Sequence, residues 1–308
     1  LRIQRPWLLA AAAALPVVVA LATCSPSLPA PDHADVAYAP LSASQTLDLY
    51  LPEGPGPFPL VINIHGGGFR VGDKDMLSPE ILGALRERGI AVATIDYRLS
   101  GEARFPAAIE DAKAAVRFLR ANAARYRLDP ERFVAFGQSA GGNLASLIGT
   151  TGNAAVFDNP ALGNPGVSAR VSAVIDWFGP NDFLQMDPQA RAQGCPPDHE
   201  AATSFESEYL GAPIRTVPDK VKAANPITYI DPSDPPFLLQ KGSADCLVPV
   251  GQTTILAEAL KQAGVPVEVD MFAGTGHGDT SFFSPVFVGD ANVQRVADFA
   301  ARHLAKAR

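Results

Sequence analysis

The 308-residue chain carries 32 Asp and Glu against 25 Lys and Arg, a net charge of −7, and an acidic surface repels phosphate backbones, which argues against a nucleic-acid partner. Apolar residues make up 47% of it, enough for a sizeable core, and folds that alternate strands and helices commonly use such a length as one domain. It has no Walker loop, dinucleotide fingerprint or metal-ligand spacing, so neither a metal nor a cofactor is expected.

At the amino end Arg2 and Arg5 precede an apolar stretch, residues 7–22, interrupted by Pro16. It is shorter than the roughly 20 residues that span a bilayer and is read as a signal peptide, residues 1–23. Leu21-Ala22-Thr23-Cys24 resembles a bacterial lipoprotein cleavage box, with Thr23 where a smaller residue is usual. Lipidation at Cys24, with membrane anchoring, and simple secretion both stay open. Residues 24–35 are then a tether, and the protein is expected to be exported.

Short strands are expected at residues 36–38 and 46–51, followed by a turn at 52–57. The apolar run 59–65 has the character of a buried parallel strand and opens into His65-Gly66-Gly67-Gly68-Phe69. A helix at 78–88, a strand at 90–97 and a long helix at 106–127 follow, the last with Ile109, Ala112, Val116 and Leu119 at spacings of three and four. The arginines at 117, 120, 125, 127 and 132 are interleaved with Asp129 and Glu131, as on a solvated helix face.

Gly137-Gln138-Ser139-Ala140-Gly141 lies between an apolar strand, residues 133–136, and a small-residue helix, 142–149. A serine on a sharp strand-to-helix turn, with small residues two before and two after, is a nucleophile elbow. Its presence gives the upstream glycines a purpose: the N–H groups of Gly67 and Gly68, with that of Ala140, can hold a developing oxyanion.

A strand at 170–178 precedes an insertion, about residues 181–228, rich in proline and carrying Phe183, Met186, Phe205 and Tyr209. Two readings stay open for it: a loop or lid over the substrate, or a surface excursion whose aromatics pack on the core. The strand at 236–240 runs into Lys241-Gly242-Ser243-Ala244-Asp245, and the strand at 265–272 into Gly274-Thr275-Gly276-His277-Gly278. A last helix spans about 290–306.

Serine is a weak nucleophile until a neutral imidazole takes its proton, and a carboxylate fixes the tautomer of that imidazole. His277 is the expected base and Asp245 the expected acid. Taken singly, each has the look of an ordinary turn or loop residue, and Asp270 and Asp279 are rival acids. Phe282, Phe283 and Phe287 line a pocket or anchor the histidine loop. Cys195 and Cys246 can pair, tying the insertion to the acid loop, as an oxidising compartment would allow.

The glycine loop, the elbow, Asp96-Tyr97-Arg98 and the Leu128-Asp129-Pro130-Glu131-Arg132-Phe133 approach resemble the α/β-hydrolase superfamily over about residues 36–308. Within it they are similar to bacterial carboxylesterases of the hormone-sensitive-lipase-like and feruloyl-esterase-like groups. Gln138 and the Gly242-Ser243-Ala244-Asp245 acid loop favour the smaller secreted esterases. The resemblance implies an α/β fold, a mostly parallel sheet flanked by helices, and hydrolysis of short-chain esters, borne on small molecules or polymers, by Ser139, His277 and Asp245. Peptidase, amidase and acyltransferase chemistry use the same groups, and a non-catalytic binding protein would be expected to have lost one of them.

Overall fold

The computed structural model describes residues 28–278 and 285–306. The expected leader, Cys24, Asp279, Phe282 and Phe283 lie outside the described residues. In chain order the elements are β1 (His33–Ala37), β2 (Thr46–Tyr50), β3 (Phe58–Ile64), α1 (Pro79–Glu87), β4 (Ala91–Ile95), α2 (Ala107–Ala121), β5 (Leu128–Gln138) and α3 (Ala140–Thr151). They continue with β6 (Ala173–Trp177), α4 (Phe183–Gln193), α5 (Phe205–Leu210), α6 (Pro218–Ala223), β7 (Phe237–Gly242), α7 (Gly251–Gln262), β8 (Val267–Phe272), α8 (Pro285–Val288) and α9 (Asp290–Leu304).

The strands form one sheet in the order β1-β2-β4-β3-β5-β6-β7-β8. β2 pairs antiparallel with β1 and β4, and every pairing from β4 through β3 to β8 is parallel. Parallel strands need crossovers, and helices supply them on both faces. Ile81 and Leu85 of α1 pack with Val296 and Phe299 of α9 on one side. Ile109 and Val116 of α2, Leu144 and Ile148 of α3, and Leu256 of α7 cover the other. The central strands are consequently buried on both faces, and their carboxyl ends, where open parallel sheets bind ligands, carry the glycine loop, the elbow and the acid loop.

Local chemistry sets the helix limits. Ser78 caps α1 by accepting from the Ile81 N–H, with Pro79 at the first helical position. α2 stops at Ala121, short of the expected 127, because Asn122 turns its amide back to the Phe118 carbonyl and the chain reaches a positive φ of 57° at Arg127. β1 begins at His33, inside the segment expected to be a tether, where the Asp35 N–H donates to Asp48 Oδ1 at 2.7 Å.

The segment between β6 and β7 is largely helical. Its prolines start helices more often than they break them: Pro218 opens α6 and Pro226 a 3₁₀ turn, although Pro188 lies inside α4. Phe183, Met186 and Tyr209 are buried, and Tyr209 stacks on Phe69 at 3.8 Å. The arginine face of α2 also differs from expectation. Arg117 is buried and shares Asp158 with the buried Lys113, while Arg120 donates to the carbonyls of Pro130, Ser168 and Arg170.

Arg98 grips Asp111 of α2 through Nε and Nη2 at 2.8 and 2.7 Å, and Gln45 adds a bond of 2.6 Å to the same carboxylate. Asp111 is fully buried, so Asp111→Ala would strand a largely buried guanidinium. A loss of about 3 kcal/mol or more is expected in urea unfolding; a loss below about 1 kcal/mol would show that the pair contributes little.

Candidate active site

Ser139 lies between β5 and α3 at φ 53° and ψ −119°, held by its N–H to the Trp177 carbonyl at 2.8 Å. The flanking glycines are required by contact. A Cβ on Gly137 would sit 2.0 Å from the Gly141 carbonyl oxygen, and one on Gly141 would sit 2.0 Å from that of Ile64. Gln138 points its amide at Asn63 Oδ1 (2.8 Å), and Asn63 in turn bonds Thr94 Oγ1 (3.2 Å), so the residue before the serine is laced across β3 and β4.

His277 Nε2 is 2.9 Å from Ser139 Oγ, and its Nδ1 is 2.7 Å from Asp245 Oδ2. The three side chains expected from sequence are therefore brought into one hydrogen-bonded line. Asp245 Oδ1 accepts from the N–H groups of Leu247 and Val248, each at 2.9 Å. Asp270 is engaged elsewhere, with Gln240 at 2.8 Å and Arg295 at 3.1 Å.

Lys241 is a participant that the sequence did not single out. Fully buried at the end of β7, it places Nζ 2.5 Å from Asp245 Oδ2 and also donates to the Val248 carbonyl. Burial lowers its pKa against the pull of Asp245. Burial works upward on Asp245, yet the Lys241 charge and the His277 hydrogen bond outweigh it and hold the carboxyl below its usual value. Burial is also the largest influence on His277 and lowers its pKa; Asp245 opposes that shift and Lys241 adds to it. The result is a neutral imidazole at neutral pH, the form that can accept a proton. Phe178 packs edge-on against the His277 ring at 4.6 Å, backed by Phe287 at 4.8 Å. Phe287 is thus an anchor of the core.

Gly67 and Gly68 adopt φ of 102° and 60°, and side chains there would meet the Val71 carbonyl oxygen at 1.9 Å and the Phe205 ring at 2.3 Å. His65 stiffens the loop from behind. Its ring stacks on Tyr97 at 4.3 Å, its Nδ1 donates to the Gly66 carbonyl, and burial pushes its pKa down to about 4. Gly67, Gly68, Ser139, Ala140 and His277 line one cavity of about 160 Å³, completed mainly by the apolar Phe69, Val71, Phe205, Leu247 and Val248. Ala140 begins α3, whose first N–H groups lack intrahelical acceptors and favour negative charge. Among the described residues no cluster of His, Cys, Asp and Glu is arranged to hold a metal.

The helical insertion reaches this site from the side. Cys195 and Cys246 are joined in a disulfide, Gln193 donates to the Asp245 carbonyl at 2.8 Å and accepts from the Val250 N–H at 3.0 Å. Gln252 of α7 accepts from the N–H groups of Asn181 and Asp182, both at 2.7 Å.

Residues 47–260 match the model of the BD-FAE family. A solved structure of a truncated carbohydrate esterase from gut microbiota is similar at a TM-score of 0.80 and 32% identity, covering 88% of this chain and 95% of that one. The bifunctional GH43-CE protein of Bacteroides eggerthii gives 0.78 and 35% identity, covering 88% of this chain and 35% of that one. Esterase LipC of Mycobacterium tuberculosis is 30% identical over 72% of this chain and 53% of its own length. The chain spans about half the length of the curated relatives it matches.

Two outcomes follow from the geometry. Lys241→Met removes a positive charge beside the Asp245–His277 pair, so the His277 pKa is expected to rise, as followed by NMR titration of its ring; an unmoved value would mean that Lys241 carries no charge there. Replacing Cys195 and Cys246 together by serine opens a closure of 51 residues, and the chain-entropy model gives a loss of roughly 4 kcal/mol, read in denaturant unfolding.

Proposed function

The chain belongs to the BD-FAE family and has the α/β-hydrolase fold, and from that premise we propose that it is a serine esterase of short-chain carboxylic esters working through an acyl-enzyme. The observation that carries the reading is the hydrogen-bonded line from Asp245 through His277 to Ser139, ending in a small, largely apolar cavity. Ser139 Oγ attacks the ester carbonyl while His277 Nε2 takes its proton. The N–H groups of Gly67, Gly68 and Ala140 hold the oxyanion. Collapse of the tetrahedral species expels the alcohol, protonated by His277; the same imidazole then activates water, and a second tetrahedral species releases the acid and returns the proton to Ser139. Asp245 keeps the Nδ1 proton on the imidazole and stabilises its charged form.

The cavity size favours a short acyl group. The structural neighbour named as a carbohydrate esterase supports an ester carried on a carbohydrate as the natural substrate. The Cys195–Cys246 bond supports work in an oxidising compartment, in keeping with export.

Nitrophenyl esters from acetate to palmitate, with a matched anilide, test the reading. Turnover is expected to fall steeply beyond the short chains, to be far slower on the anilide, and to drop by about 10⁴-fold or more in Ser139→Ala. Near-normal turnover in that variant would overturn the nucleophile, and preference for the anilide would make the protein an amidase.

A further inference from the structure

One polar side chain on the cavity wall is left without a task in the chemistry above. Glu206, in the first turn of α5, lines the same cavity as Ser139 and His277 and is 5% exposed. Its Oε1 lies 3.2 Å from Nδ1 of His199, itself 4% exposed. Its Oε2 is shut off from bulk solvent and has no hydrogen-bond partner among the described residues. A buried carboxylate oxygen left unpaired costs more than an ordinary hydrogen bond contributes, so a site that keeps one has a use for an acceptor there.

The surroundings hold the turn that carries the carboxylate. Ser204 caps α5 through the Ser207 N–H at 3.1 Å, and neighbouring Phe205 lies directly on Gly68. His199 is tethered from its own N–H to Asp187 Oδ1 at 2.8 Å. Burial acts against charge on His199, but Glu206, Asp198 and Asp187 outweigh it and raise its pKa above the ordinary value. The contact puts an imidazole behind the Glu206 carboxylate, and the other walls of the cavity are mainly apolar and poorly suited to a desolvated cation. That suits a neutral hydroxyl donor better than a cation. The terminal torsion of a glutamate is broad, so a turn about Cγ–Cδ can bring a carboxylate oxygen of Glu206 to the cavity.

We infer that Glu206 is a specificity-determining acceptor, taking a hydrogen bond from a free hydroxyl near the scissile ester, so that the site favours partial esters of sugars and polyols over esters lacking such a hydroxyl. The inference rests on the esterase reading of the same site. It goes beyond that reading by naming the group that selects the substrate and the chemistry selected.

The test compares kcat/KM for a monoacetylated methyl xyloside and for cyclohexyl acetate, a ring of similar size without hydroxyls, in the intact protein, Glu206→Gln and Glu206→Leu. Hydrogen bonds to charged groups carry enough free energy that the ratio of the two values should fall by about 10-fold or more in Glu206→Leu. Glu206→Gln keeps the shape and a neutral acceptor, and its ratio should lie between the other two. Equal proportional losses on both esters, or an unchanged ratio, would overturn the role of Glu206 and leave the esterase reading intact. Failure of the intact protein to cleave either acetate or any nitrophenyl ester would overturn the esterase reading, and this inference with it.

Discussion

The backbone at Ser139 occupies a conformation that residues with side chains rarely adopt, and such strain persists only where the surroundings over-determine it. Here the surroundings are backbone itself. Gly137 lies against the Gly141 carbonyl, and Gly141 against the carbonyl of Ile64 at the end of β3, so β3, β5 and α3 close on one another with no room for a methyl group. The same approach sets the glycine loop that leaves β3 beside the serine. Gly67, Gly68 and Ser139, the proposed oxyanion donors and nucleophile, are therefore positioned by the close approach of β3, β5 and α3, to which the register of β3 with β5 contributes.

The acid side is organised by charge. A fully buried carboxylate is costly unless its lone pairs are met, and Asp245 meets two backbone N–H groups, an imidazole and a buried ammonium. Lys241 has a double effect. It keeps Asp245 ionised, and it offsets part of the field with which that carboxylate would otherwise make His277 strongly basic. A histidine facing an unopposed buried carboxylate would be protonated over more of the neutral range and less often ready to accept a proton.

What the sequence made legible follows from the range of the interactions involved. The elbow and glycine loop are local: the requirement for glycine is written at fixed spacing around Ser139 and after β3. Asp245 and His277 were accessible from chain order and from their position after apolar strands. Lys241 was not, because a lysine at a strand end usually reaches solvent, and only the fold shows it turned inward. α7 escaped notice since Gln252 and Thr253 lie on its buried face, which blurs the apolar period. The buried Arg117 has the same origin: its partner Asp158 is 41 residues away, and nothing near α2 in the sequence signals it.

The insertion combines both difficulties. Its prolines give it the look of a loop, yet its polar residues make the contacts that matter, at Gln193 with the acid loop and at Glu206 with the cavity. A covalent bond at Cys246 and the Gln193 clamp hold Asp245 from one end of the segment. Phe205 and Glu206, farther along it, form cavity wall against the glycine loop. One connection between β6 and β7 thus bears on Asp245 and on the proposed substrate cavity together. On the proposed esterase reading, sequence change there would alter which ester fits without touching the elbow, whereas change at 193–195 would disturb the support of Asp245 whatever the substrate. The proposed selectivity and triad geometry are separable within that segment because the disulfide and the Gln193 clamp join the end of α4 to the loop of Asp245, before the chain reaches His199 and Glu206.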